Sequence, residues 1–103
     1  MSSLNCFKKN SSQSIMSLPI PLARGITVYG RAGCGYSSMA QQLISGRSQT
    51  RYYNLNQYLN DPREFFNLAQ RRIRSHRTFP IVFVDQQFIG GFSELQSYLS
   101  RRG

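Results

Sequence analysis

The stretch Gly25-Ile26-Thr27-Val28-Tyr29-Gly30-Arg31-Ala32-Gly33-Cys34-Gly35-Tyr36-Ser37 decides how this chain folds. Its first six residues alternate, carry β-branched side chains and are bounded by glycine, the pattern of a strand. Arg31-Ala32-Gly33-Cys34-Gly35 is a glycine-rich turn. A helical spacing follows, with Met39, Ala40, Leu43 and Ile44 on one face. Gly46 stands where a helix stop belongs. Cys34 therefore sits at a strand-to-helix turn. There, the unpaired N–H groups of the first helical turn and the helix dipole favour an anion. Arg31, three residues earlier, adds positive charge, and both effects favour a thiolate. A thiol with pKa about 8.5 is only a few per cent ionised at neutral pH, and half ionisation needs roughly 2 kcal/mol. A helix terminus supplies up to about 2 kcal/mol in favourable geometry. Cys34 is thus a candidate nucleophile. The alternative is a small buried structural cysteine, against which the flanking glycines count, because they leave the sulfur approachable.

Arg51-Tyr52-Tyr53-Asn54-Leu55 reads as a second strand. A helix start follows. Asp61 is placed as N-cap, Pro62 at the first helical position and Glu64 as the third member of a capping box. Phe65, Phe66, Ala69 and Ile73 give that helix one apolar face. Ile81-Val82-Phe83-Val84 is a continuous apolar run, as in a strand buried on both faces. Gln87-Phe88-Ile89 pairs with it across a tight turn at Asp85-Gln86. After Gly90-Gly91, Ser93 and Gln96 form a second capping box ahead of a last helix marked by Leu95 and Leu99. The order is β-α-β-α-β-β-α. A crossover helix makes the first two strands parallel, and the short turn makes the last two antiparallel.

The chain of 103 residues has room for one domain and one modest core. Residues 25–103 form that domain. Residues 1–24 are a basic, Ser-rich extension without an acid, read as a flexible tail, and the expected location is cytoplasmic. The competing reading is an organelle transit peptide, mitochondrial or other, because such segments are Ser-rich, basic and acid-poor. A secretory signal fits less well, since Ser17 and Pro19 interrupt the apolar stretch from Ile15 to Ile20. No run approaches the roughly 20 apolar residues needed to span a membrane. Two cysteines, Cys6 and Cys34, exclude a multi-disulfide framework and a four-thiolate zinc site. Thirteen Lys and Arg against four Asp and Glu give a formal net charge of +9. That balance points to an anionic partner: nucleic acid, a membrane surface or an acidic small molecule. Eleven of the thirteen are arginine, suited to bidentate contact with carboxylate or phosphate. A nucleic-acid role is disfavoured, because the aromatics fall at core periods and form no interleaved stacking platform.

Three motifs together resemble the glutaredoxins. Ile26-Thr27-Val28-Tyr29 leading into Arg31-Ala32-Gly33-Cys34-Gly35-Tyr36-Ser37 is similar to their active-site strand and Cys-x-x-Cys/Ser turn. Arg77-Thr78-Phe79-Pro80 before Ile81 is similar to their Thr-Val-Pro segment. Ile89-Gly90-Gly91-Phe92-Ser93-Glu94-Leu95 is similar to their Gly-Gly motif. The order and spacing match over roughly Gly25 to Arg101. The resemblance implies a thioredoxin-like α/β fold, a four-stranded mixed sheet flanked by three helices. It implies glutathione-dependent thiol–disulfide exchange with Cys34 as nucleophile, a part in electron transport and cell redox homeostasis, and a cis Phe79–Pro80 peptide facing the sulfur. It also implies a glutathione site. Phe79 would pair through its main chain with the cysteinyl part, and Arg31 would meet the glycyl carboxylate where the family usually has lysine. One of Arg71, Arg72, Arg74 and Arg77, with Arg72 taken forward, would join it. Gly91, Phe92 and Ser93 would seat the γ-glutamyl carboxylate at a helix N-terminus. Thr78, Phe79, Pro80 and Tyr36 would flank the sulfur. Without the resemblance, Pro80 is a strand-start proline, Ser93 a cap, the arginines a solvated face and His76 a loop residue.

Ser37 stands where dithiol members carry a second cysteine, so the implied route is monothiol. Cys34 attacks a protein–glutathione mixed disulfide, and a second glutathione regenerates it. Cys6 is a weak candidate resolver. Cys-Gly-Tyr-Ser also resembles the Cys-Gly-Phe-Ser of members that share a [2Fe–2S] cluster between two protein thiols and two glutathiones, with Cys34 as the metal ligand of a dimer. Against that subgroup, Tyr29 to Cys34 is compact and the chain has no Trp. The expected partners are glutathione and glutathionylated proteins, with a monomer in the exchange reaction and no metal bound to it.

Overall fold

A computed structural model describes residues 18–102; residues 1–17, with Cys6 among them, and Gly103 lie outside the described residues. The elements run β1 (Ile26–Gly30), α1 (Gly35–Ile44), β2 (Thr50–Asn54), a 3₁₀ turn (Leu55–Gln57), α2 (Glu64–Leu68), α3 (Gln70–Ile73), β3 (Ile81–Val84), β4 (Gln87–Gly90) and α4 (Phe92–Arg102). The sheet order is β2-β1-β3-β4. β1 pairs parallel with β2 and antiparallel with β3, and β3 pairs antiparallel with β4. The mixed sheet is as expected. The helix count is not: among the described residues four helices flank it, because the segment read as one helix breaks at Ala69.

Period-2 alternation sorts the two faces of the sheet. Ile26 and Val28 of β1 and Val82 of β3 join Ala40, Ile44, Leu95 and Leu99 beneath α1 and α4. Tyr29, Ile81 and Phe83 turn the other way and join Leu55, Phe65, Phe66 and Ile73 beneath α2 and α3. Both central strands are thereby buried on both faces. In α1 the buried positions are Ser37, Ala40 and Ile44. Met39, expected on the apolar face, is 47% exposed; burial of Ser37 rotates that face by part of a turn.

The break at Ala69 has a local cause. Ala69 takes φ −104° and ψ 12°, and its carbonyl accepts from Arg72 N–H at 2.8 Å, the tighter i+3 spacing, as well as from Ile73. Phe65, Phe66 and Ile73 stay buried together through the break, so the apolar spacing is kept while the helix is not. The expected capping box at Asp61 is also replaced. Asp61 Oδ1 accepts from Arg63 N–H at 3.0 Å, and its carbonyl accepts from Glu64 N–H, an aspartate turn ahead of a helix that starts at Glu64. At α4 the cap is Gly91 rather than Ser93. Glu94 reaches back three residues, and its Oε1 accepts from Gly91 N–H at 2.8 Å. Gly90, at φ 136°, leaves the room: a Cβ there would lie 2.5 Å from Glu94 Cγ.

The end of the extension is tied into the sheet. Leu18 packs against the aromatic core, Tyr29 donates its hydroxyl to the Pro19 carbonyl at 2.8 Å, and Leu22 N–H donates to buried Thr27 at 2.9 Å. Asp85 and Gln86 both have positive φ, 50° and 72°, the geometry of a type I′ hairpin turn. Tertiary bonds hold these two non-glycine residues there: Gly25 N–H donates to Asp85 Oδ1 at 2.7 Å, and Gln86 Nε2 donates to the Pro21 carbonyl at 3.2 Å.

The Gly91 N–H is the main cause holding the Glu94 carboxyl below its ordinary range. A depressed carboxylate adds stability above its unfolded pKa and loses it as pH falls through the folded value. Glu94→Ala is expected to cost about 0.3–1 kcal/mol at pH 7. In urea unfolding, the gap from the parent protein begins to narrow as pH falls into the ordinary carboxylate range, and it closes only once Glu94 is protonated in the folded state as well.

Candidate active site

Cys34 occupies the N-cap position of α1 in extended geometry, φ −100° and ψ 117°. Its carbonyl accepts from Ser38 N–H at 3.1 Å. The loop before it is anchored from two sides. Arg31 N–H donates to Ser37 Oγ at 3.3 Å, and Ala32 N–H donates to Asn56 Oδ1 at 2.7 Å. Gly33 takes φ 77°, a turn that glycine adopts without strain.

The thiol is half-buried. Burial raises its pKa, yet the net shift is downward. The Ser37 hydroxyl, the backbone N–H groups of Ser37 and Tyr36, and the Arg31 charge outweigh it. Ser37 is wholly buried, so its hydroxyl needs partners. The Arg31 N–H and the Cys34 sulfur supply them. A third group stands beside it: a Cβ on Gly30 would lie 2.2 Å from the Tyr52 hydroxyl oxygen and 2.9 Å from Ser37 Oγ. Gly30 is therefore required for close approach, since any side chain there would displace one of those hydroxyls. Burial holds the Tyr52 hydroxyl above its ordinary range. The Ser37 hydroxyl lowers it and the Cys34 charge raises it.

Beside the sulfur lies a groove walled by Arg31, Cys34, Tyr36, Arg63, Phe66, Arg77, Thr78 and Phe79. The Phe79–Pro80 peptide is cis, and the Phe79 carbonyl lies 4.0 Å from the Cys34 sulfur. Phe79 stacks on Phe66, ring centres 4.8 Å apart. Guanidinium groups sit over both rings: Arg31 5.6 Å from the Phe79 centroid and Arg77 5.9 Å from that of Phe66. Carbonyls of Arg74 and His76 hold Arg77 Nη1. Thr78 Oγ1 and His76 Nε2 lie 3.4 Å apart.

Of the residues expected from sequence, Arg31, Cys34, Tyr36, Thr78 and Phe79 converge on this groove, and Pro80 adjoins it. Gly91 packs against the Pro80 carbonyl and His76, and Phe92 packs against Tyr36 at 5.6 Å. Ser93 is exposed, and its side chain lines shallow depressions beside Ser97 and Arg101, not the groove. Arg72 is a correction. Its guanidinium lies over Phe83 at 5.9 Å, in a separate apolar cavity with Leu18, Pro19 and Tyr29. The broken helix turns Arg72 toward that side and leaves Arg77, past the helix, beside the sulfur. Arg63, Phe66 and Tyr52 were not anticipated. Phe66 carried only a core signal, and Tyr52 becomes visible once the parallel register sets Val28 opposite Tyr52 and Gly30 opposite Asn54.

A glutaredoxin model matches residues 26–89. The chain belongs to the glutaredoxin family. Glutaredoxin 1 of Escherichia coli is 32% identical over 75 residues, covering 70% of this chain and 88% of that protein. Among solved structures, a buckwheat glutaredoxin–glutathione complex superposes with TM-score 0.68 at 17% identity, over 94% of this chain and 88% of that one. An E. coli glutaredoxin superposes with TM-score 0.52 at 28% identity, over 76% and 95%. The fold is thioredoxin-like, and family membership makes the protein a thiol–disulfide oxidoreductase.

Ser37→Ala removes the hydroxyl that favours the thiolate. The pH midpoint for iodoacetamide alkylation of Cys34 is expected to move upward, so the rate falls at pH 7 and converges with the parent rate in strong alkali. Tyr52→Phe is expected to change the midpoint less.

Proposed function

We propose that this glutaredoxin reduces protein–glutathione mixed disulfides by a monothiol route. The observation that carries the reading is a half-exposed cysteine, biased toward its thiolate, at the end of a groove with a guanidinium on each side of an aromatic pair. Ser37 stands where a resolving thiol would stand and serves instead as a hydrogen-bond donor to the sulfur.

The electron count is simple. The Cys34 thiolate attacks the glutathione sulfur of the mixed disulfide. The new Cys34–glutathione disulfide forms as the old bond breaks, and the target protein leaves as a thiolate that takes up a proton. A second glutathione thiolate attacks the Cys34 adduct at its glutathione sulfur. Oxidised glutathione leaves, and Cys34 returns as a thiolate. One free glutathione is consumed for each mixed disulfide reduced; the other half of the oxidised glutathione is the glutathionyl group taken from the target.

The tripeptide lies with its cysteinyl main chain along Phe79, next to the sulfur. Arg31 and Arg77 take its glycyl carboxylate. The N-terminus of α4 takes the γ-glutamyl carboxylate through the Phe92 and Ser93 backbone N–H groups, since the Gly91 N–H is already held by Glu94. Arg77 replaces Arg72 in this assignment because it shares the groove with Cys34. The [2Fe–2S] alternative has a narrower basis. In it Cys34 would be the protein ligand of each copy, and a second copy and two glutathiones would supply the rest.

Glutathione-coupled reduction of a small glutathione mixed disulfide tests the assignment. Cys34→Ser abolishes turnover, and Cys6→Ser retains it. Arg77→Gln raises KM about tenfold, the loss of one charged hydrogen bond, while Arg72→Gln stays within about twofold. Turnover surviving in Cys34→Ser would end the reading, and equal KM in the two arginine variants would reverse the choice between them. Anaerobic incubation with iron, sulfide and glutathione is expected to leave the protein colourless.

A further inference from the structure

We infer that the groove selects protein substrates whose glutathionylated cysteine lies among carboxylates, with Arg63 as a specificity-determining residue. The inference rests on the mixed-disulfide reading and names its substrate class.

The groove walls hold three cations, Arg31, Arg63 and Arg77, and no carboxylate. Glutathione brings two carboxylates and one ammonium, a net charge of about −1 near neutrality. Arg31 and Arg77 are placed for the glycyl carboxylate, each over a ring of the Phe79–Phe66 pair. Arg63 is left over. Glutathione is only one half of a mixed disulfide. The other half is the target protein, which must reach the same sulfur, so the wall not taken by the tripeptide faces it.

In the free protein Arg63 is occupied by a weak partner. Its Nε and Nη2 donate to Asp61 at 3.1 and 3.0 Å, and the two side chains are 71% and 47% exposed. An exposed pair of that kind contributes little to stability. A carboxylate on a docking protein can therefore replace Asp61 at little cost, and a lysine or arginine there meets the repulsion of Arg31, Arg63 and Arg77, which Asp61 offsets only in part. The flanking chain adds to the bias. From Arg63 to Arg77 there are five arginines and one carboxylate, Glu64. Such a field raises the encounter rate of acidic partners and lowers that of basic ones. Nucleic acid is the less suited polyanion. Phe66 and Phe79 stack on each other, and Tyr36 is the one aromatic among the exposed large apolar side chains of the described residues, so little is offered for bases to stack on.

The test uses the full chain and three glutathionylated peptides of equal length, with Asp and Glu, Asn and Gln, or Lys flanking the modified cysteine. The small disulfide of glutathione with 2-mercaptoethanol normalises each protein variant. At low ionic strength kcat/KM is expected to be about tenfold higher for the acidic than for the neutral peptide, lowest for the basic one, and nearly equal for all three at about 0.5 M salt. Arg63→Gln reduces the acidic-to-neutral ratio several-fold, and Arg63→Lys restores most of it. Equal rates for the three peptides, or an unchanged ratio in Arg63→Gln, would overturn the inference. So would stronger inhibition by a single-stranded oligonucleotide of matched charge than by an unmodified acidic peptide. Failure to turn over any disulfide, the small one included, would instead sink the mixed-disulfide reading and the inference with it.

Discussion

The site depends on one buried hydroxyl. Ser37 lies wholly inside α1, and its oxygen joins the end of β1 to the start of the helix by accepting from Arg31 N–H. The same group donates toward the Cys34 sulfur and lowers its pKa against the effect of burial. A hydroxyl is small enough to fit where Gly30 leaves no space for a side chain. It also cannot form a disulfide. A single residue thus sets the turn, favours the thiolate and leaves no second sulfur at that position.

The groove is a tertiary object. Its walls come from the β1–α1 loop, the start of α2, and the segment between α3 and β3. Each contributes something a short peptide could not hold in place. The Phe66–Phe79 stack is buried against the core from one side and supports the guanidinium groups from the other. Arginines on aromatic faces lose less freedom when they meet a carboxylate than arginines in open solvent, because their planes are already oriented. Stability and recognition therefore share the same side chains.

Some of this was legible in the residues. The strand-turn-helix reading of 25–44 stands because glycine, β-branching and periodicity all agree there. The β3–β4 hairpin was legible for the same reason, although its turn lacks glycine. Contacts with Gly25 and Pro21, far away in sequence, hold Asp85 and Gln86 at positive φ, and no local signal reports them. The helix between Pro62 and Ile73 was half legible: its apolar spacing holds, yet the break at Ala69 follows from a tightened hydrogen bond that spacing does not encode. The α4 cap moved from Ser93 to Gly91 because a glutamate at the third position reaches the backbone as well as a glutamine would.

Arg72 and Arg77 show the limit most directly. Four arginines within seven residues have the same chemistry in a sequence, and only the path of the chain separates them. The break in the helix sends Arg72 to the side of Phe83 and Tyr29, and the loop after it brings Arg77 beside Cys34. By itself, the sequence determined the candidate nucleophile, its place at a helix start, the strand pattern and the excess of positive charge, because these follow from residue type and from contacts within a few positions. The tertiary structure decided which cations share the sulfur's groove and which hydroxyls crowd it, because those distances are set by strand register and helix packing between residues that are remote along the chain.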